Sequence, residues 1–324
     1  MLLLLSFVLL GFVLLIPAIP TIREVVRPRD RGRLRIPENY VRDPRWFGRS
    51  YREKLAPFVA AARGGAIYSA DLHLRTDEET RWSPDMTIPP RERVHGIAVG
   101  ERIHVGRGAG IRDAYALEFL EVDEDVEART LTSDGELRIG AAVSILRWID
   151  ADGEIVVAPD GDLGVSASGG GRVTLADRVT FERVWGKPVA SRTAAAAPFA
   201  LADREAVPNV GQAEIEAGVP IFHGSIRIVR NTQVPFHIKV HGSLAVEPGV
   251  RIAGNAIVRG DVTFASDVTV DGHVFSEGDI RLGPRCRVGR PGGVKTVYAA
   301  GRVMIANDVE VEGWVVAESR GQTV

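Results

Sequence analysis

Glycine recurs at an interval of eighteen residues along much of this chain, at Gly135, Gly153 and Gly171, then again at Gly224, Gly242, Gly260 and Gly278. A period of this length marks a repeat architecture, in which each unit buries its apolar side only by stacking on its neighbours. The apolar residues keep phase with the glycines. Leu244, Val246, Val250 and Ile252 follow Gly242, and Val262, Phe264, Val268 and Val270 follow Gly260. Ile280, Leu282, Cys286 and Val288 follow Gly278, while Val303, Ile305, Val309 and Val311 follow Gly301. Residues two apart lie on one face of a strand. Each repeat therefore reads as two short alternating strands separated by a corner and closed by a weaker third strand. The fold expected is all-β, a parallel β-helix solenoid of coils about eighteen residues long.

The amino-terminal half obeys the same rule, with Leu137, Ile139, Val143 and Ile145 after Gly135, and Ile155, Val157, Leu163 and Val165 after Gly153. Ile97, Val99, Ile103 and Val105 extend the pattern, so the solenoid is expected to begin near residue 65, with an irregular patch around Tyr115 to Ala128 and about ten coils in all. Two stretches interrupt it. Lys187 to His223 is rich in alanine and bounded by Pro188 and Pro220, and Arg290 to Thr296 contains Pro291, Gly292 and Gly293. Both read as loops leaving the helix between coils; the longer either separates two stacks or covers a groove. The repeated glycines are expected at tight corners, where the backbone takes conformations that suit glycine alone.

Residues 1–22 carry no charged side chain. A helix of that length crosses the ~30 Å hydrocarbon layer, so one transmembrane helix is expected ahead of the solenoid. A cleaved signal peptide would need a basic start and a small-residue cleavage site, and neither is present. Arg23, Arg27, Arg29, Arg31, Arg33 and Arg35 follow the span directly. The positive-inside rule then places the amino terminus outside and the β-helix in the cytoplasm, the chain being a single-pass protein of the cell inner membrane. The same arginines are candidate contacts for anionic lipid headgroups, continued by Arg42, Arg45, Arg49, Arg52 and Lys54; the alternative is a solvated basic linker. The organisation expected is a span at 1–22, a basic juxtamembrane linker at 23–64, coils at 65–186, a loop insertion at 187–223 and coils again at 224–324.

Chemistry is sparse. A formal net charge of -2 excludes a polycation built for nucleic acid. The single cysteine, Cys286, excludes an internal disulfide and a thiolate zinc cluster, and it takes the place held elsewhere by Val250, Val268 and Val309, so it reads as a core thiol. There is no phosphate-binding loop, and Gly106 to Gly110 lacks the spacing of a dinucleotide site. His223 and His241 stand one repeat apart and could stack on one corner, but Arg259 and Glu277 break that column. Asp134 and Asp152 also fall one coil apart, each in an Asp-Gly turn. No residue is assigned a catalytic, cofactor-binding or metal-ligating role. The enzymatic alternatives are a hexapeptide-repeat acyltransferase, from the six-residue recurrence Leu244, Val250, Ala256, Val262, Val268 and Val274, and a carbohydrate-active β-helix with clustered carboxylates.

The run Val258 to Gly289, VRGDVTFASDVTVDGHVFSEGDIRLGPRCRVG, resembles a bactofilin coil series, most clearly from Gly224 onward. The resemblance implies a right-handed parallel β-helix and a bacterial polymer-forming cytoskeletal protein. Such a protein assembles end to end without nucleotide, often at a membrane, and positions envelope machinery. The implied partners are further copies of the chain, membrane lipid and cell-envelope proteins. An uncapped solenoid end is itself an invitation to pair. The last coil, Gly301 to Ala317, stays apolar and is followed only by a short polar tail, so Ile305, Val309, Val311 and Trp314 are the candidate polymer contact. The alternative is a monomer whose tail folds over that end.

Overall fold

Because a corner follows every two or three strand residues, most strands are short, and they stack coil upon coil on three flat faces. The computed structural model describes residues 43–64, 80–194, 199–201, 214–216 and 219–324. From Thr80 onward the chain is a parallel β-solenoid of about 12 turns, slightly more than the repeat count suggests. At about 4.8 Å per turn the rod is roughly 55 Å long. One inward column runs Ile103, Leu120, Leu137, Ile155, Val173 and Val189, each paired in parallel with the next. In the later coils the columns are Leu244, Val262, Ile280 and Val303, and Ile252, Val270, Val288 and Val311. All are buried, and each contributes on the order of 1.5–3 kcal/mol by leaving water. Cys286 lies fully buried among them, and burial pushes its thiol up to about 12.

The repeated glycines have a different cause from the one expected. Gly135, Gly153, Gly171, Gly242, Gly260 and Gly278 do not adopt left-handed backbone. All but Gly171 sit where successive coils approach too closely for a side chain: a Cβ on Gly135 would lie 1.8 Å from the Glu118 carbonyl oxygen, and one on Gly242 2.3 Å from the Ser225 nitrogen. Gly171 is merely tight at 3.2 Å, and Gly224, in the first coil of its stack, meets nothing within 4 Å. The left-handed corner is a separate column occupied mostly by other residues. It runs Arg91, Gly108, Asp125, Ala142, Asp160 and Arg178, then Asn231, Gly249, Asp267, Arg285 and Asp308. Carboxylates and guanidiniums one coil apart pair there, Arg178 with Asp160 at 2.6 Å and Arg285 with Asp267 at 2.7 Å. The first three steps of this column are seventeen residues, not eighteen, so the early coils drop out of the glycine period. The stretch read as irregular, Tyr115 to Ala128, begins inside a continuous strand, Gly110–Val122.

The coils form two stacks that meet back to back. Strand Thr180–Ser191, which closes the first stack, pairs antiparallel with Glu310–Thr323, which closes the second; Val184 faces Val315, Trp185 faces Trp314 and Val189 faces Val311. The Ser191 hydroxyl accepts from the Val309 N–H at 3.0 Å, and the Thr323 hydroxyl accepts from the Val179 N–H at 2.9 Å. The axial direction of winding therefore reverses at this seam. The interruption at 187–223 separates two stacks: the chain leaves the seam after Ser191 and re-enters at the far end of the second stack, in Val219–Phe222. The second interruption, Arg290 to Thr296, stays within one coil and is bypassed by parallel pairing of Val274 with Val297.

Candidate functional site: a clasped helix and a shared seam

The stretch 23–64, read from sequence as a basic linker, contains the helix Trp46–Arg63. Gly48, Leu55, Phe58 and Ala62 fall on one side of it and are buried. Leu55 and Phe58 cover Ile97, Val99 and Tyr115, which point outward from the first stack. The amino-terminal half of the helix adds rings: Phe47 stacks on Trp148 at 6.4 Å, and Tyr51 meets Trp148 edge-on at 5.4 Å.

Beside these contacts lies the densest charge cluster among the described residues. The outward column of this face runs Val99, Tyr115, Thr132, Asp150 and Ser168. Asp150, its side chain 1% exposed, accepts two hydrogen bonds from Arg45, Nε at 3.0 Å and Nη2 at 2.7 Å. Arg52 also donates to it, and the Ser168 hydroxyl donates at 2.7 Å. Arg52 Nε reaches Asp134 at 2.6 Å, its Nη2 reaches the Ser133 carbonyl at 2.6 Å, and Arg45 reaches Asp152. Tyr115 completes the cluster by donating to Asp134 at 2.8 Å. Burial, and then Asp134, push its phenol well above the ordinary range. Burial opposes the Arg45 charge, but Asp150 and Asp152 outweigh it and hold the guanidinium more basic than usual. Gly48 is required by this contact, since a Cβ there would lie 2.2 Å from the Asp150 carboxyl carbon.

Asp134 and Asp152, weighed from sequence as turn residues or as catalytic carboxylates, are thus arginine acceptors in the clasp. Arg45 and Arg52, grouped from sequence with the lipid-facing arginines, are turned toward protein instead. Sequence reading missed Asp150 and the helix itself; the spacing of Leu55, Phe58 and Ala62 is the signal that marks a buried helical face. Arg23, Arg27, Arg29, Arg31, Arg33 and Arg35, with the span at 1–22, lie outside the described residues. Among the described residues, no helix is long and apolar enough to cross a membrane.

The four candidate polymer residues lie at or beside the seam. Ile305, Val309 and Val311 are buried in the core, and Trp314 pairs with Trp185 of the same chain. The terminal coil that was expected to offer its edge to another copy has that edge filled within the chain. The outer edges left without a strand partner among the described residues include Thr80–Trp82 and Asp85–Ile88 at one end, and Glu214–Glu216, Ile226–Ile228 and Gln233–Val234 at the other. Both ends are thus the starting coils of a stack.

His223 and His241 stand edge to face at 5.0 Å, and no group of three or more metal-ligating side chains gathers among the described residues. Other histidines have a backbone role. The Asn255 N–H donates to His237 Nδ1, the His273 N–H to Asn255 Oδ1, and the Thr296 N–H to His273 Nδ1, at 2.9, 2.9 and 3.1 Å. An acceptor nitrogen requires neutral imidazole. Burial, with Lys295 nearby, lowers the His273 pKa below its ordinary value of 6.5. The unfolded chain then binds the proton more readily than the folded one, so stability present above pH 6.5 falls as the pH drops through the window below it. His273→Asn supplies the same acceptor as Asn255 without the titration. Melting temperatures measured at pH 8 and pH 5.5 are expected to differ less in that variant than in the native chain.

Comparison with family models, with curated proteins and with solved structures finds no match.

Proposed function

We propose that this chain is a membrane-anchored structural scaffold of the bactofilin kind, not an enzyme, which self-assembles through the ends of its β-helix without nucleotide. In this reading residues 1–22 span the cell inner membrane with the amino terminus outside, and Arg23 to Arg35 lie against anionic headgroups. The solenoid is held in the cytoplasm, where it gathers cell-envelope proteins.

The observation that carries the proposal is the seam. Two terminal coils of this sequence join edge to edge through antiparallel strand pairing and a shared apolar core, which is the kind of contact end-to-end assembly requires. With the seam closed inside the chain, assembly uses the two starting coils, so the polymer contact moves from Ile305, Val309, Val311 and Trp314 to Thr80–Ile88 and Ile226–Val234.

The test is electron microscopy and sedimentation of the full chain in mild detergent, at several protein concentrations and without nucleotide. Filaments whose length grows with concentration are expected. A monomer at every concentration overturns the reading, and a closed trimer redirects it to acyl-transfer assays.

A further inference from the structure

The face of the rod that carries the clasped helix continues across the seam into the second stack, because Glu310–Thr323 pairs with Val184 and Trp185 on one side and with Lys295–Ala299 on the other. There its outward column runs Ile221, Lys239, Ile257, Phe275, Tyr298 and Val316. Ile257 is 44% and Phe275 36% exposed, so this half of the face presents aliphatic and aromatic side chains to solvent where the first half buries them under Leu55 and Phe58. Beside the stripe stands a second column, His223, His241, Arg259, Glu277, Ala300 and Glu318. Its first three members are basic or titratable to cations, and both of its acids come in the last three.

We propose that this stripe mates with the same stripe of a second copy, the two rods lying side by side and antiparallel about a twofold axis between the Ile257 and Phe275 coils. A contact of this symmetry matches each residue to one counted from the opposite end of the column. Ile257 meets Phe275 and Lys239 meets Tyr298, while Ile221, 5% exposed at the end of the column, is covered within its own chain. In the flanking column Arg259 meets Glu277, His241 meets Ala300 and His223 meets Glu318. Arg259 thus faces Glu277 and His223 faces Glu318, and no like charges are opposed. The occupant is therefore a copy of this chain turned end for end.

The stripe is narrow, about a side chain wide over a few coils, and one such contact falls short of the roughly 1,000 Å² that a stable interface needs. Repetition along a filament multiplies it, so its strength in the assembled state rests on the end-to-end reading proposed above. Its geometry does not: the central pairs, Ile257 with Phe275, Lys239 with Tyr298 and Arg259 with Glu277, lie inside the second stack.

The experiment mixes two variants of the full chain in detergent, Lys239→Cys and Tyr298→Cys, carrying different tags, under mild oxidation. Cys286 is buried and does not contribute. The mixture is expected to form a disulfide-linked heterodimer at least ten times faster than either variant alone forms a homodimer, since equivalent residues lie about three coils apart across the axis. Adding Arg259→Glu to both partners slows the reaction, and adding Glu277→Arg as well restores it. Equal rates in the mixture and in the separate variants overturn the proposal, as does a charge swap that fails to restore the link. Crosslinking without filaments in the microscope leaves the lateral pair standing and removes the end-to-end reading; filaments without crosslinking do the reverse.

Discussion

Asp150→Ala releases the helix Trp46–Arg63 from the rod. Arg45 and Arg52 both close on this carboxylate, which has no access to water, and its loss leaves two largely buried guanidiniums held by the more exposed Asp134 and Asp152 and the Ser133 carbonyl. Breaking one side of such a cluster costs about 3–5 kcal/mol. The stacks themselves keep their columns, because coils contact only their neighbours and the helix lies outside them. Hydrogen exchange is therefore expected to rise across residues 46–63 while the inward strands of the first stack keep their protection. Uniform loss of protection across the solenoid would mean that the helix is an integral part of the core and not a clasp. Unchanged protection of the helix would mean that Leu55 and Phe58 hold it without help.

Val311→Asp opens the seam. Val311 is buried between Val288 of the preceding coil and Val189 of the opposite stack, so a carboxylate there has no polar partner. The cost is about 4 kcal/mol or more, at the upper end for a single substitution. Since the seam is what couples the stacks, denaturant unfolding followed by fluorescence of Trp185 and Trp314 is expected to separate from the loss of β signal, giving two transitions. A single transition at the native midpoint would show that the seam contributes little.

Much of this fold is legible in the residues. The apolar columns from Leu244 to Val311 were placed inward correctly, and Cys286 among them, because a period-two pattern repeated at one interval has only one way to bury itself. The axial reversal was not legible. Parallel pairing inside each stack produces the same columns whichever way the stack points, so a period carries no information on direction; the interruption after Ser191 marks the break but not the turn. The glycines were read as left-handed corners, whereas their neighbours' backbones crowd them. Left-handed corners fall to Asp, Arg, Asn and Ala as well, and so escape a search by composition. The clasp escaped because Asp150 lies among strand residues and its partners sit about a hundred positions away, in a stretch whose arginines suggested lipid. Arg45 and Arg52 acquire meaning only when the coils bring Asp134, Asp150 and Asp152 to one face.

The seam also sets a clock on synthesis. Thr180–Ser191 is complete long before Glu310–Thr323 leaves the ribosome, roughly 120 residues later, which at ordinary elongation rates is on the order of ten seconds. Until then the last edge of the first stack has no partner in its own chain. Another chain's finished carboxyl-terminal coil fits that place as well as its own. Crowded, simultaneous translation from one message is therefore expected to raise the share of exchanged partners, two chains each closing the other's seam, and a dilute cell-free synthesis is expected to lower it.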